Sequence, residues 1–139
     1  MYKIVKTKFK DLIIVQNYPY KDMRGKLLFG SFANALKKKF VHEYSSISKK
    51  NVFRGFHYQY KKKQGKLITV LYGEILDCVI DLRKNSKTFK KNFKIKLSGG
   101  NNKSLYIPPG FAHGYYVFKN NTVVNCKQTN PFNSKFEKG

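Results

Sequence analysis

The sequence is poor in the residues that stabilise small secreted proteins and membrane-spanning segments. Its 139 residues include no tryptophan and two cysteines, Cys78 and Cys126. One disulfide is the most that they can form, which excludes a disulfide-stapled scaffold and favours free thiols in a reducing cytoplasm. No run reaches the roughly 18 consecutive apolar residues of a membrane span. The first residues alternate lysine with apolar side chains, so we expect neither a signal peptide nor a membrane anchor.

Acidic residues and arginine are also scarce. Seven Asp and Glu stand against 29 Lys and Arg, which gives a net charge of +22. Such a charge raises the hypothesis of a nucleic-acid-binding β-barrel. However, base readout and bidentate phosphate binding favour arginine, and the chain has only Arg24, Arg54 and Arg83. We therefore attribute the lysines to a compositional bias and expect no nucleic-acid partner, although the positive field would attract an anionic ligand.

The dominant hydrophobic period is two, which predicts strands. In residues 74–83 the alternation places one apolar set on the predicted core face, namely Leu76, Cys78, Ile80 and Leu82. Asp77, Val79 and Asp81 fall on the other face. Turn signals separate further predicted strands at 3–7, 12–17, 26–29, 40–47, 52–59, 66–72, 89–97, 104–107, 113–118 and 122–128.

Only residues 31–39 predict a helix, with Ser31 as its N-cap and lysines in the last turn. No linker or low-complexity segment divides the chain. We therefore predict a single domain over residues 1–139, with an all-β fold that is either a sandwich or a barrel.

Two of the three histidines are candidates for chemistry. His57 follows Arg54, Gly55 and Phe56, and strict alternation would turn Arg54 and His57 to opposite faces. A bulge at Gly55 would allow both to point inward. His113 follows a Pro-Pro-Gly turn at 108–110 and begins a predicted strand. The alternatives are a half-buried sheet histidine at 57 and a satisfied core histidine at 113.

The other familiar site chemistries lack their residues. A metal site needs three or four ligands, and the chain has no His-x-His pair and no Glu between His57 and Gly73. No Gly-rich loop joins a strand to a helix, and no Gly-x-Ser-x-Gly elbow occurs. We therefore expect neither a metal nor a cofactor.

Several sequence blocks together resemble the dTDP-4-dehydrorhamnose 3,5-epimerase family. They occur in the family's order between about residues 3 and 129, so they carry far more weight than any single motif. The matching blocks are Asp22-x-Arg24-Gly25, Ser46-x-Ser48, Arg54-Gly55-Phe56-His57-Tyr58-Gln59, Gln64-Gly65-Lys66-Leu67, Gly73-Glu74-Ile75-Leu76-Asp77, Asp81-Leu82-Arg83, Ser86-x-Thr88-Phe89 and Ile107-Pro108-Pro109-Gly110-Phe111-Ala112-His113-Gly114.

This resemblance implies a metal-free, cupin-type jelly roll that forms a homodimer by exchanging N-terminal strands. The implied substrate is a nucleotide-diphospho-4-keto-6-deoxysugar, dTDP-linked in the family. By the same resemblance His57 is the base that removes a proton beside the ketone, which suits an imidazole near neutral pH. The other implied roles are stabilisation of the ketone oxygen by Lys66 and His113, diphosphate binding by Arg24 and Arg54, and substrate binding by Ser46 and Gln59.

The chain departs from the family in three places. Cys126 stands where the family has the tyrosine that acts as the opposite-face acid, and Phe29 stands where it has a glutamate. The family's carboxylate partner of the base lies in a segment beyond Gly139, which leaves Asp77 or Asp81 as candidates to orient His57.

We therefore predict an epimerase acting at one carbon, C3 or C5, in deoxysugar or surface polysaccharide biosynthesis. The alternatives are a 3,4-ketoisomerase of the same substrate class and a non-catalytic nucleotide-sugar-binding module.

Overall fold

Two antiparallel sheets face each other in the computed structural model, which describes residues 1–30 and 32–139. The strands are β1 (Tyr2–Lys6), β2 (Ile13–Asn17), β3 (Tyr20–Asp22), β4 (Gly25–Leu27), β5 (His42–Ser48), β6 (Phe53–Gln59), β7 (Lys66–Tyr72), β8 (Glu74–Asp81), β9 (Asn92–Ser98), β10 (Lys103–Ile107), β11 (Phe111–Val117), β12 (Thr122–Gln128) and β13 (Glu137–Lys138). One helix, α1 (Ala33–Leu36), and a 3-10 turn, Ser134–Phe136, complete the described elements.

The strand order explains how the site is built. One sheet has the order β1-β2-β10-β7-β12-β5, and the other has β13-β6-β11-β8-β9, while β3 and β4 form a separate hairpin. Apolar side chains from both sheets fill the space between them, including Ile68 and Val124 from one and Val79 and Val117 from the other. The predicted all-β fold of jelly-roll type is confirmed, and its two layers become the walls of a cavity.

The buried face of β8 is the opposite of the predicted one. Ile75 and Val79 are fully buried, and so are Asp77 and Asp81, whereas Cys78 is only half-buried. The prediction that Cys78 lies in the core was therefore wrong. The prediction followed the hydrophobicity of single side chains. Both aspartates, however, have charged or polar partners that allow their burial, His113 for Asp77 and Arg83 for Asp81.

The helix is shorter than predicted, and two strands escaped prediction. The αL conformation of Lys37 ends α1 after Leu36, so the lysines follow the helix instead of forming its last turn. Ser31, the predicted N-cap, lies outside the described residues. Strand β3 is exposed along its length and β13 has two residues, so neither carries a burial pattern that alternation could detect.

Cys78 and Cys126 are both free thiols. Among the described residues, no helix is long and apolar enough to cross a membrane.

A buried carboxylate fixes the loop that follows β8. Both oxygens of Asp81 accept hydrogen bonds from the Arg83 guanidinium at 2.9 Å, and Oδ2 also accepts from Ser86 and Thr88 at 2.6 Å. Burial alone would raise the pKa of Asp81, but these hydrogen bonds outweigh it and hold the pKa far below its ordinary value. The charged form is thus the one that the fold stabilises.

We predict that Asp81→Asn lowers the free energy of unfolding at pH 7 by about 2 kcal/mol, because Arg83, Ser86 and Thr88 lose a charged acceptor. In the wild type this contribution is present above the ordinary carboxyl pKa of about 3.9 and is lost as the pH falls toward the lower folded value. Urea unfolding at several pH values measures the difference. The control is Asp22→Asn, whose partner Arg24 is 86% exposed and should matter little. An equal effect of both substitutions would contradict the prediction.

Candidate functional site

A cavity of about 630 Å³ opens between the two sheets, next to the apolar core that Tyr115 helps to form. Its lining is polar and aromatic, as expected for a site that orients a ligand. The lining residues are His42, Tyr44, Ser46, Phe53, Arg54, Gly55, His57, Gln64, Lys66, His113, Tyr115, Gln128, Phe132 and Glu137. The predicted residues Ser46, Arg54, His57, Lys66 and His113 thus converge on one cavity.

A bulge in β6 turns Arg54 and His57 toward the same cavity. His113 on β11 pairs with His57, but Tyr115 pairs with Arg54, so only Gly114 lies opposite Gly55 and Phe56. Gly55 has a φ of +125°, and a Cβ there would stand 2.5 Å from the Gly114 Cα. Only glycine fits this approach. The predicted bulge is confirmed, and so is the shared face of the two polar side chains.

The carboxylate beside His57 comes from Glu137. Strand β13 pairs with β6 through Glu137 and Gln59, and this places Glu137 Oε1 3.6 Å from His57 Nδ1. His57 remains half-exposed to the cavity, and Nε2 is the ring nitrogen left for a ligand. Neither Asp77 nor Asp81 contacts His57, so the expectation that one of them orients this ring was wrong.

Asp77 instead holds the second histidine. His113 Nε2 lies 2.8 Å from Asp77 Oδ2, and both side chains are buried. A carboxylate acceptor fixes the tautomer with the proton on Nε2 and orients the ring. His113 is therefore held rigidly in the cavity wall on β11, next to the strand that carries His57.

Lys66 brings a buried ammonium to the same cavity. It is 8% exposed, and no carboxylate within the described part of the chain lies in ion-pair contact with its Nζ. Burial lowers the pKa of Lys66, and the more distant charges of Glu137 and Asp77 offset that only in part. A buried cation at the cavity wall is suited to bind negative charge that develops on a ligand.

The wall opposite His57 is formed by β5 and β12. Tyr44 and Ser46 line the cavity from β5, and the Ser46 hydroxyl lies 2.8 Å from the Tyr115 hydroxyl. Cys126 on β12 is opposite Tyr44 in register, is 1% exposed and is not among the lining residues. Burial raises the pKa of its thiol to about 11, so this thiol stays protonated at neutral pH.

Two other predicted site residues lie outside the cavity lining. Gln59 is buried and has its amide in use: Nε2 donates to the Lys62 and Pro131 carbonyls, and Oε1 accepts from the Asn133 amide. Its role in this structure is to anchor the segment that leads to β13. Arg24 lies on the β3–β4 hairpin, 86% exposed and paired with Asp22.

Several lining residues escaped sequence reasoning. His42 and Tyr44 lie on a strand whose alternation is weak, and Glu137 follows the last predicted strand. The available signal was the spacing of two: His42 and Tyr44 lie on the same face of the strand as Ser46, which was already a predicted site residue. Among the described residues, no three His, Cys, Asp or Glu side chains converge as metal ligands.

The chain is similar to known proteins in sequence and in structure. The family model described as dTDP-4-dehydrorhamnose 3,5-epimerase matches residues 6–139. A protein of that name from Methanothermobacter thermautotrophicus is 36% identical over 143 residues, covering 99% of this chain and 77% of the relative. A protein of the same name from Shigella flexneri is 36% identical over 144 residues, covering 98% and 79%.

Solved structures agree with this match. The dTDP-6-deoxy-D-glucose-3,5-epimerase of Legionella pneumophila, in complex with dTDP-4-keto-L-rhamnose, has a TM-score of 0.93 at 35% identity and covers 99% of this chain and 76% of its own. The dTDP-4-dehydrorhamnose 3,5-epimerase of Bacillus anthracis, with TDP and pyrophosphate bound, has a TM-score of 0.95 at 32% identity, covering 100% and 83%.

We predict that Lys66→Met raises the free energy of unfolding by about 1 kcal/mol at neutral pH, because it removes a buried, unpaired charge. Since the folded pKa of Lys66 is lowered, the unfolded chain binds more protons and wild-type stability rises with pH between that pKa and the ordinary value. The variant should lack this rise. Urea unfolding from neutral to alkaline pH measures it, with the exposed Lys63→Met as control. A less stable Lys66→Met would contradict the prediction.

Proposed function

Because this chain belongs to the dTDP-4-dehydrorhamnose 3,5-epimerase family, we propose that it inverts one carbon beside the ketone of a nucleotide-diphospho-4-keto-6-deoxysugar. The observation that best supports this proposal is that Arg54 and His57 line the same cavity, together with the buried ammonium of Lys66. The ligands named for the Legionella and Bacillus structures support a dTDP-linked substrate. The reaction belongs to deoxysugar biosynthesis, and a reducing compartment suits the free thiols.

His57 supplies the base in this proposal. Its Nε2 removes the proton from the carbon next to the ketone, while the Glu137 carboxylate near Nδ1 holds the ring and stabilises the imidazolium that forms. This arrangement gives the base a carboxylate partner from within the present chain. It therefore removes one of the two grounds for a non-catalytic binding module, the missing carboxylate, and leaves the missing family tyrosine as the other.

The negative charge that develops on the ketone oxygen needs a fixed positive or hydrogen-bonding partner. Lys66 is the cation suited to this task, and its burial makes the interaction stronger than it would be in water. His113, held by Asp77, is the second group in the same cavity. Arg54 carries the diphosphate contact, with its Nε bound to the Ser48 hydroxyl at 2.9 Å and its remaining N–H groups available.

The wall opposite His57 favours inversion at one carbon rather than two. Cys126, which stands at the family's tyrosine position, is buried and does not line the cavity. That position therefore presents no proton donor to a ligand. A 3,4-ketoisomerase remains the second candidate, since moving a proton along one face needs only one base.

We predict that incubation with dTDP-4-keto-6-deoxyglucose in heavy water exchanges the proton at one carbon beside the ketone, followed by NMR. Exchange at C3 alone or at C5 alone supports the proposal. Exchange at both carbons indicates a double epimerase, and a 3-keto product indicates the ketoisomerase. His57→Asn should slow exchange by at least ~100-fold, because it removes the base.

Two results test the roles within this experiment. Glu137→Gln should slow exchange less than His57→Asn, because the base remains and only its orientation is lost. A His57→Asn variant that exchanges as fast as the wild type would refute the assigned base. Absence of both exchange and dTDP binding in the wild type would refute the proposed function.

We also propose that two copies associate through the hairpin of β3 and β4. Residues 21–30 are exposed throughout, including Met23 and Leu27, and such apolar exposure is typical of an interaction surface. Arg24 lies on this hairpin away from the cavity of its own chain. A second copy would let Arg24 reach the diphosphate in the partner's cavity, as the exchange of N-terminal strands implies.

We predict that mixing Arg24→Ala with His57→Asn protein restores activity that neither has alone. In a symmetric dimer, about half of the randomly mixed dimers are heterodimers with one intact site, so about a quarter of wild-type activity returns. Subunit exchange followed by the NMR assay measures this. Light scattering that finds a monomer at assay concentration, or a mixture no more active than its parts, would contradict the dimer proposal.

A further inference from the structure

The cavity has a hydroxyl on the wall that faces the base. His57 lies on β6 in the five-stranded sheet, whereas Tyr44 lies on β5 in the six-stranded sheet, and both line the same cavity. A ligand between the sheets therefore has an imidazole on one side and a phenol on the other. Inversion of a carbon requires this placement, because the proton leaves on one face and returns on the opposite face.

The other candidates for the donor fit less well. The Cys126 thiol is 1% exposed and does not line the cavity, although Cys126 stands at the position of the family's acid. Tyr115 lies on β11, in the same sheet as His57, and its hydroxyl is engaged with Ser46 at 2.8 Å. That hydrogen bond joins Tyr115 to β5 and occupies its hydroxyl, whereas Tyr44 is the phenol that β5 itself carries opposite His57.

Tyr44 and Cys126 are linked by register. They are cross-strand partners in β5 and β12, so their side chains share one face of the sheet. The family's tyrosine position is thus a cysteine, and a tyrosine stands directly across from it on the neighbouring strand. The phenol of Tyr44 thus stands one strand away from the family's tyrosine position and lines the cavity, where Tyr44 is 46% exposed.

The surroundings keep the Tyr44 hydroxyl protonated. Burial at the wall raises its pKa, and the neighbouring Cys126 thiol adds to that rise, followed by Tyr115 and Glu137. A phenol that is protonated at neutral pH has a proton to donate to the enolate carbon that forms when His57 has removed one.

Resting on the proposed function, we propose that Tyr44 is the catalytic acid that completes the inversion. His57 Nε2 takes the proton from the carbon beside the ketone, and the electron pair of that C–H bond moves into the enolate. The Tyr44 O–H bond then breaks as a new C–H bond forms on the opposite face, and the enolate collapses to the ketone. Solvent returns a proton to the phenolate and takes one from the imidazolium, so no net proton is consumed.

The test is Tyr44→Phe, which removes the hydroxyl and keeps the ring. In heavy water the variant should form the inverted product at least ~100-fold more slowly than the wild type. Deuterium should still enter the unreacted substrate, because His57 removes the proton and returns deuterium to the same face. That retained exchange also shows that the variant is folded with its base in place. The control is Tyr72→Phe, an exposed tyrosine outside the cavity lining, which should match the wild type.

Three results would overturn the inference, and they are distinguishable. A Tyr44→Phe variant that inverts the carbon as fast as an active wild type refutes the role of Tyr44 and leaves the proposed function standing. Loss of inversion in Cys126→Ala together with an unaffected Tyr44→Phe assigns the acid to the thiol. A wild type that exchanges no proton at all overturns the proposed function, and this inference falls with it.

Discussion

The close approach of two glycines, Gly55 and Gly114, is the constraint on which the site depends. With side chains at these positions β6 and β11 could not come together, because a Cβ at Gly55 would stand 2.7 Å from the His113 carbonyl oxygen. The approach accommodates the extra residue of β6 and brings Arg54 and His57 onto one face. A regular strand would have sent one of them to the outer surface of the sheet.

The polar groups around the base are ordered by partners from separate elements. Asp77 holds His113 from the neighbouring strand, and Glu137 reaches His57 from the short strand at the edge of the sheet. Gln59 anchors the segment leading to that short strand through two hydrogen bonds, one to the Pro131 carbonyl and one from the Asn133 amide. The side-chain amide of Gln59, which does not line the cavity, therefore helps to hold Glu137 beside His57.

Much of the fold and part of the site were predictable from the sequence. Alternation located the long strands, and the glycine between Arg54 and His57 predicted the bulge, because these features are local. The face of β8 was mispredicted because alternation carries no information on polar partners: Asp77 is buried against the distant His113, and Asp81 is bound by the side chains of the loop that follows it. Glu137 and Tyr44 were missed for the same reason, since only the packing of sheets brings them to the cavity.

The separation of the two walls has a consequence for how stereochemistry is controlled. The base and the proposed acid belong to different layers, and the distance between those layers is set by the apolar side chains that fill the gap, such as Val79 and Val124. The rate of inversion therefore depends on interlayer spacing as well as on the two side chains themselves. Repacking the interior, far from any group that meets the sugar, is expected to slow proton transfer while leaving every catalytic side chain unchanged.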